Sequence, residues 1–174
     1  GMAKKMLLVQ SQAYRKQFDF RSIVLFPTNL YGPKDHFYPM SATVISAPIN
    51  KISTAKKQKN ESISIWGDGT TTRDFLYVKD AVRGLITAAE KYDEVLPINL
   101  GSDHEVTIKE LANLISGIVG FKGKIKWDTS KPNGQPRRKV SNKLAEEKLD
   151  FKAEITLEQG LRKTIEWYQR HYSN

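Results

Sequence analysis

The 174-residue chain contains no cysteine. Disulfides, thiolate nucleophiles and cysteine-based zinc sites are therefore excluded. Its three histidines, His36, His104 and His171, lie far apart and show no metal-ligand spacing, so no metal site is expected. Apolar runs are short, which argues against a transmembrane helix. The N-terminal lysines are not followed by the apolar stretch of a signal peptide, and a cytoplasmic location is the expectation. Also missing is a G-x-G-x-x-G or G-x-x-G-x-x-G loop after a first strand. That loop lets a backbone approach a pyrophosphate at a helix N-terminus. The chain is not expected to hold a dinucleotide in that mode by itself.

What is present is ordinary globular composition, 39% hydrophobic and 27% charged, enough for a single region spanning 1–174. The formal charge of +9 favours anionic partners. The basic residues are spread along the chain, and no nucleic-acid motif or aromatic-glycine interleaving accompanies them. A small phosphorylated ligand accounts for the excess at least as well as nucleic acid does.

Residues 2–17 read as a helix, with Met6, Leu7, Val9, Ala13 and Tyr14 on a mostly apolar face. Residues 22–26 form a short β-branched and aromatic run, a strand that Pro27 is expected to stop. A loop follows over 27–39, then a helix over 42–57 despite Pro48. Strands are expected over 62–66, 74–78, 97–100 and 124–127, and helices over 79–91, 107–117, 142–149 and 156–172. Thr107 with Glu110, and Thr156 with Gln159, have capping-box spacing. Strands alternating with helices predict an α/β fold with a parallel component.

Two segments carry the chemistry. Trp66-Gly67-Asp68-Gly69 ends a strand in a double-glycine turn, and Arg73-Asp74-Phe75 follows. The glycines let a loop pass close to a ligand, Arg73 can grip a phosphate bidentately, and Trp66 offers a flat face to a ring. The same residues could equally be a hairpin turn, a core tryptophan and an arginine paired with Asp74 or Asp80. Spacing alone leaves both readings open.

The block from Trp66 to Ala81 resembles the W-G-x-G-x-x-x-R-[DE]-[FY]-[LI]-[HY]-V-x-D-x-A signature of extended short-chain dehydrogenase/reductases, the NAD-dependent epimerase/dehydratase family. Arg21 to Pro33 resembles the family's R-x-x-N-x-Y-G-P segment, and Ile98-Asn99-Leu100-Gly101 its strand end. The intact Pro-Thr-Asn-Leu-Tyr-Gly-Pro run at 27–33 and the run from Asp128 to Lys139 are most similar to the GDP-L-fucose synthase group. The resemblance covers nearly the whole chain and implies the C-terminal half of such an enzyme. The implied fold is α/β: an incomplete Rossmann sheet plus a small mixed α/β substrate-binding region, with the N-terminal dinucleotide-binding half absent.

The resemblance also implies roles. Pro27, Thr28, Asn29 and Leu30 would line the nicotinamide side of an NAD or NADP cofactor in the full-length parent. Trp66 and Arg73 would hold a nucleotide-diphosphate sugar, a GDP-sugar foremost, with Arg73 on the diphosphate. Lys51 falls where the group uses an arginine near substrate, and Lys131 would lie near the phosphates. Plain solvent exposure is the alternative for both lysines. The family's catalytic pair is Tyr-x-x-x-Lys on one helix, where the lysine lowers the tyrosine's pKa and holds the nicotinamide ribose. Lys4 matches that lysine, and the tyrosine would precede Gly1. Thr43 stands where the group has a histidine acid, and Ser141 where it has an aspartate.

The expectation is therefore the substrate-binding half of a nucleotide-sugar epimerase/reductase, inactive alone. The alternative is a degenerate, non-catalytic sugar-nucleotide-binding or scaffold protein from a truncated or split gene. Unpaired strand edges and apolar faces would favour a homodimer or pairing with a separate Rossmann half.

Overall fold

A computed structural model describes residues 1–38 and 42–172. Its strand–helix alternation gives a mixed α/β fold with partial parallel sheets. After helix α1 (Met2–Phe18) come two short strands, β1 (Leu25–Pro27) and β2 (Asn29–Tyr31). Helix α2 (Ser46–Lys57) leads to β3 (Ser62–Trp66), β4 (Thr72–Tyr77) and α3 (Val78–Lys91). Then follow β5 (Ile98–Leu100), β6 (Glu105–Thr107), α4 (Ile108–Val119) and β7 (Lys124–Asp128). The chain closes with β8 (Arg137–Arg138), α5 (Lys143–Leu149) and α6 (Leu157–Tyr172).

Strand β4 is the axis. Its C-terminal half pairs in parallel with β2, and its N-terminal half pairs antiparallel with β6 and parallel with β8. Phe75, Leu76 and Tyr77 are all buried because both faces of β4 are covered. Phe75 and Tyr77 enter a core with Ile49, Ile52, Ile115, Leu161 and Ile165, built by α2, α4 and α6. Leu76 faces a smaller core with Ala88, Ile98, Leu100, Leu149 and Phe151, built by α3, α5 and β5. Strands β3 and β7 form a separate parallel ribbon, and β1 pairs only with β5.

Several boundaries move from expectation. Pro27 closes β1 from within, as an edge strand tolerates. The expected loop after it contains β2, because β4 supplies a partner no local pattern reveals. Strands β6 and β8 lie in stretches where no strand is expected, and they form for the same reason. Helix α2 starts at Ser46: the Ser46 Oγ accepts from the Thr43 N–H at 2.7 Å and the Thr43 Oγ1 from the Ser46 N–H at 3.3 Å. Pro48 then falls in the first turn, where its missing N–H costs nothing. The last residue of the expected 27–39 loop, Pro39, lies outside the described residues. Both capping boxes form, at Thr107 with Glu110 and at Thr156 with Gln159.

Helix α1 occupies the expected span but buries no residue. Met6, Leu7, Val9 and Tyr14 face outward, and only Leu8 of its larger apolar side chains is half-buried. It is held by Arg15, which donates to the backbone and carboxylate of Asp93 at 2.7 and 2.6 Å, and by a 2.7 Å bond between the Ser11 and Ser22 hydroxyls.

Candidate functional site

The two chemistry-bearing loops close on each other at the end of the β3–β7 ribbon. Trp66 and Asp128 are register partners, and the Gly67 N–H donates to the Asp128 carbonyl at 2.9 Å. Beyond them, the Asp68 N–H donates to the Asn133 Oδ1 at 2.8 Å, and the Asn133 Nδ2 returns a bond to Asp68 Oδ2 at 2.9 Å. Asp68 also accepts from the Thr70 hydroxyl and N–H, which hold its carboxyl below the usual range. Gly69 has φ +78°, and a Cβ there would stand 2.8 Å from the Trp127 ring. The double glycine is thus demanded by packing between the two loops as well as by turn geometry.

This arrangement gathers the expected ligand residues. Trp66 is 68% exposed, and the Lys131 Nζ lies 5.9 Å from its ring centre. Lys51, on α2, donates its ammonium to the Ser64 carbonyl, two residues back along β3. The Arg73 guanidinium reaches beneath the loop to within 3.8 Å of where a Cβ on Gly134 would stand.

Arg73 is not paired with Asp74 or Asp80. Its guanidinium donates to the Thr72 carbonyl, and it makes no ion pair among the described residues. Asp80 is instead engaged by Arg83 and by the N–H groups of Glu154 and Ile155. Asp74 is buried and accepts from the Ser102 N–H and hydroxyl at 3.0 and 2.6 Å, while its other carboxylate oxygen has no hydrogen-bond partner among the described residues. Burial pushes this carboxyl up, against the pull of the Ser102 bonds.

Arg138, which the sequence did not single out, is the register partner of Arg73 across β4 and β8. Register partners share a face, on strands about 4.8 Å apart. The opposite face carries the acid: Glu105 takes a bidentate bond from Arg137 at 2.9 to 3.1 Å and a further bond from the Thr72 hydroxyl. These bonds, Arg137 first, bring the Glu105 carboxyl down to about 2. Lys139 pairs with Asp103 at 3.2 Å. Alternation therefore neutralises Arg137 and leaves Arg73 and Arg138 side by side without a carboxylate among the described residues. Like charges placed so repel each other, and an anion between them relieves the repulsion. A cleft of about 580 Å³ beside β8 is lined by Asp103, Arg137, Arg138, Lys139, Val140 and Ser141; it takes in Arg138 but not Arg73.

The expected cofactor wall attaches to the same strand. The Thr28 hydroxyl and the Asn29 Nδ2 both donate to the Asp74 carbonyl, at 3.1 and 2.8 Å, and the Thr28 N–H donates to Leu100. Their polar groups face the scaffold, leaving Pro27 and Leu30 exposed as an apolar surface. Lys4 is exposed on α1 and makes no hydrogen bond or ion pair with the other expected site residues among the described residues. The wall is apolar, as a nicotinamide ring would require, and among the described residues no G-x-G-x-x-G or G-x-x-G-x-x-G loop opens a helix after a strand. Thr43 is committed locally: its hydroxyl donates to Asp35 at 2.9 Å and bonds Ser46 at 3.0 Å.

No helix among the described residues is long and apolar enough to cross a membrane. A GDP-L-fucose synthase of Arabidopsis thaliana is 40% identical over 164 residues, covering 94% of this chain and 50% of its own length. One from Sinorhizobium fredii is 44% identical over 155 residues, covering 89% and 49%. The chain spans about half the length of the curated relatives it matches. A crystal structure of a GDP-L-fucose synthetase from Naegleria fowleri bound to NADP superposes with a TM-score of 0.88 at 29% identity, over 99% of this chain and 56% of that one. Residues 1–101 match the profile of the NAD dependent epimerase/dehydratase family. The chain belongs to that family, and its fold is the C-terminal part of an extended short-chain dehydrogenase/reductase.

Proposed function

We propose that this chain is the substrate-binding half of a nucleotide-sugar epimerase/reductase of the GDP-L-fucose synthase type, inactive without a dinucleotide-binding half. The observation that carries the reading is the uncompensated Arg73–Arg138 pair, with Arg73 reaching under Gly134 of the loop whose Lys131 lies over the exposed Trp66 ring. Two guanidiniums grip a diphosphate, the indole stacks on a ring, and Lys131 and Lys51 add positive charge. The apolar surface of Pro27 and Leu30 would meet the nicotinamide, positioned through Thr28, Asn29 and the Asp74 carbonyl. A bound NAD or NADP supplies or accepts hydride at a sugar carbon. Lys4 would bring positive charge to a tyrosine phenol donated by the other half, easing its proton exchange.

The apolar side of α1 and the free edge of β1 would pack against that half or a second copy of the chain. The Thr43 hydroxyl, tied to Asp35 and Ser46, favours a second reading in which the chain binds without catalysing. A threonine there cannot exchange protons as a histidine would at neutral pH.

Titration of the chain with GDP tests the first reading. Saturable binding is expected, weakened about tenfold or more in Arg73→Met and in Arg138→Met. No binding by the unmodified chain would overturn it. Steady turnover of GDP-4-keto-6-deoxymannose with NADPH by the isolated chain would overturn the claim of inactivity.

A further inference from the structure

We infer that Lys126, with Ser64 beside it, reads the far edge of the nucleobase stacked on Trp66 and selects a base that presents carbonyl acceptors. This rests on the sugar-nucleotide reading above.

The argument starts from alternation in the β3–β7 ribbon. Ile63, Ile65, Ile125 and Trp127 turn toward the protein, and Ser64, Trp66, Lys124 and Lys126 turn outward. Ser64 and Lys126 are register partners, as are Trp66 and Asp128. Lys126 is therefore the diagonal neighbour of Trp66 on the exposed face, within reach of a long side chain. It makes no hydrogen bond or ion pair with a described residue, and the nearby acid, Asp128, is occupied by the Ser130 hydroxyl and N–H.

The order of groups along the ribbon gives Lys126 its role. Trp66 ends β3, and the phosphate-gripping cations lie beyond it: Lys131 over the ring, and Arg73 under Gly134. Lys126 lies on the other side, about 7 Å back along β7 from Asp128. A nucleotide whose diphosphate meets Arg73 and whose base covers Trp66 turns the base's outer edge toward Lys126 and Ser64. The ammonium can only donate, with three protons to give. Guanine presents O6 and N7 as acceptors there, whereas adenine places an N6 amino donor beside N7. Lys51 holds the ribbon's opposite edge through the Ser64 carbonyl, so the strand that carries the serine is pinned.

The test is titration of the full 174-residue chain with GDP and with ADP, followed by calorimetry. GDP is expected to bind more tightly. Lys126→Met should weaken GDP about tenfold and leave ADP nearly unchanged, so that the preference collapses. Lys126→Arg, which keeps the donors, should retain the preference. Lys143→Met, removing a charge paired with Glu147 on α5, should change neither affinity. Circular dichroism checks each fold, and Lys126→Gln replaces the methionine variant should that one unfold. A GDP-to-ADP ratio unchanged by loss of Lys126 overturns the inference while leaving nucleotide binding intact. No binding of either nucleotide by the unmodified chain overturns the sugar-nucleotide reading, and this inference with it.

Discussion

The β3–β7 end of the molecule and the α1 end are built on opposite terms. At the ribbon, every structural demand is met within the chain: Asp68 and Asn133 close the loops, Gly69 admits Trp127, and α2, α4 and α6 supply a core. At α1, a 17-residue helix buries nothing and leans on Arg15 and Ser11. A helix of that length draws most of its stability from packing its apolar face. The contrast teaches that the ribbon end, proposed above to take the sugar nucleotide, is a finished surface, while the α1 end leaves an apolar face uncovered within this chain.

The contrast can be broken by substitutions at its two ends. Gly69→Ala should cost the most, about 2–4 kcal/mol, since alanine is strained at φ +78° and its Cβ strikes the Trp127 ring. Urea unfolding measures this, and an unchanged midpoint would show that the two loops are not interdependent. An intermediate effect is expected at Glu105, whose folded pKa of about 2 lies below its ordinary value near 4.5. A depressed carboxylate adds stability above its unfolded pKa and loses it as pH falls toward the folded value. Stability should therefore decline between about pH 4.5 and pH 2, and Glu105→Gln should flatten that part of the curve. An identical acid profile in the variant would remove Glu105 from the account. Leu7→Ala, on the 63% exposed α1 side chain, should change the stability of the monomer by less than about 0.5 kcal/mol. A loss of several kcal/mol there would mean that α1 is already covered in solution, and would end the contrast.

Much of this was legible in residue order. The 3.6-residue pattern located the helices, and Thr107 with Glu110 marked the start of α4 correctly. Trp66, Arg73 and Lys131 could be singled out because glycine, arginine and proline punctuate their segments in a family pattern, and the structure places Lys131 over the Trp66 ring and Arg73 under Gly134. Strands β2, β6 and β8 were not legible. Each has three residues or fewer, too short for periodicity, and exists only because β4 offers it a partner. The exposure of α1 was hidden as well, since an apolar stripe looks the same whether its partner is present or not.

The sequence by itself determined the family and the α/β alternation, because those follow from local chemistry and spacing. Only the tertiary structure decided which charges are free. Register across β4 aligned Arg138 with Arg73 and sent Arg137 to Glu105 on the other face. A shift of one residue would have exchanged those roles, since side chains alternate across a strand. That register is set by contacts between residues far apart in the chain.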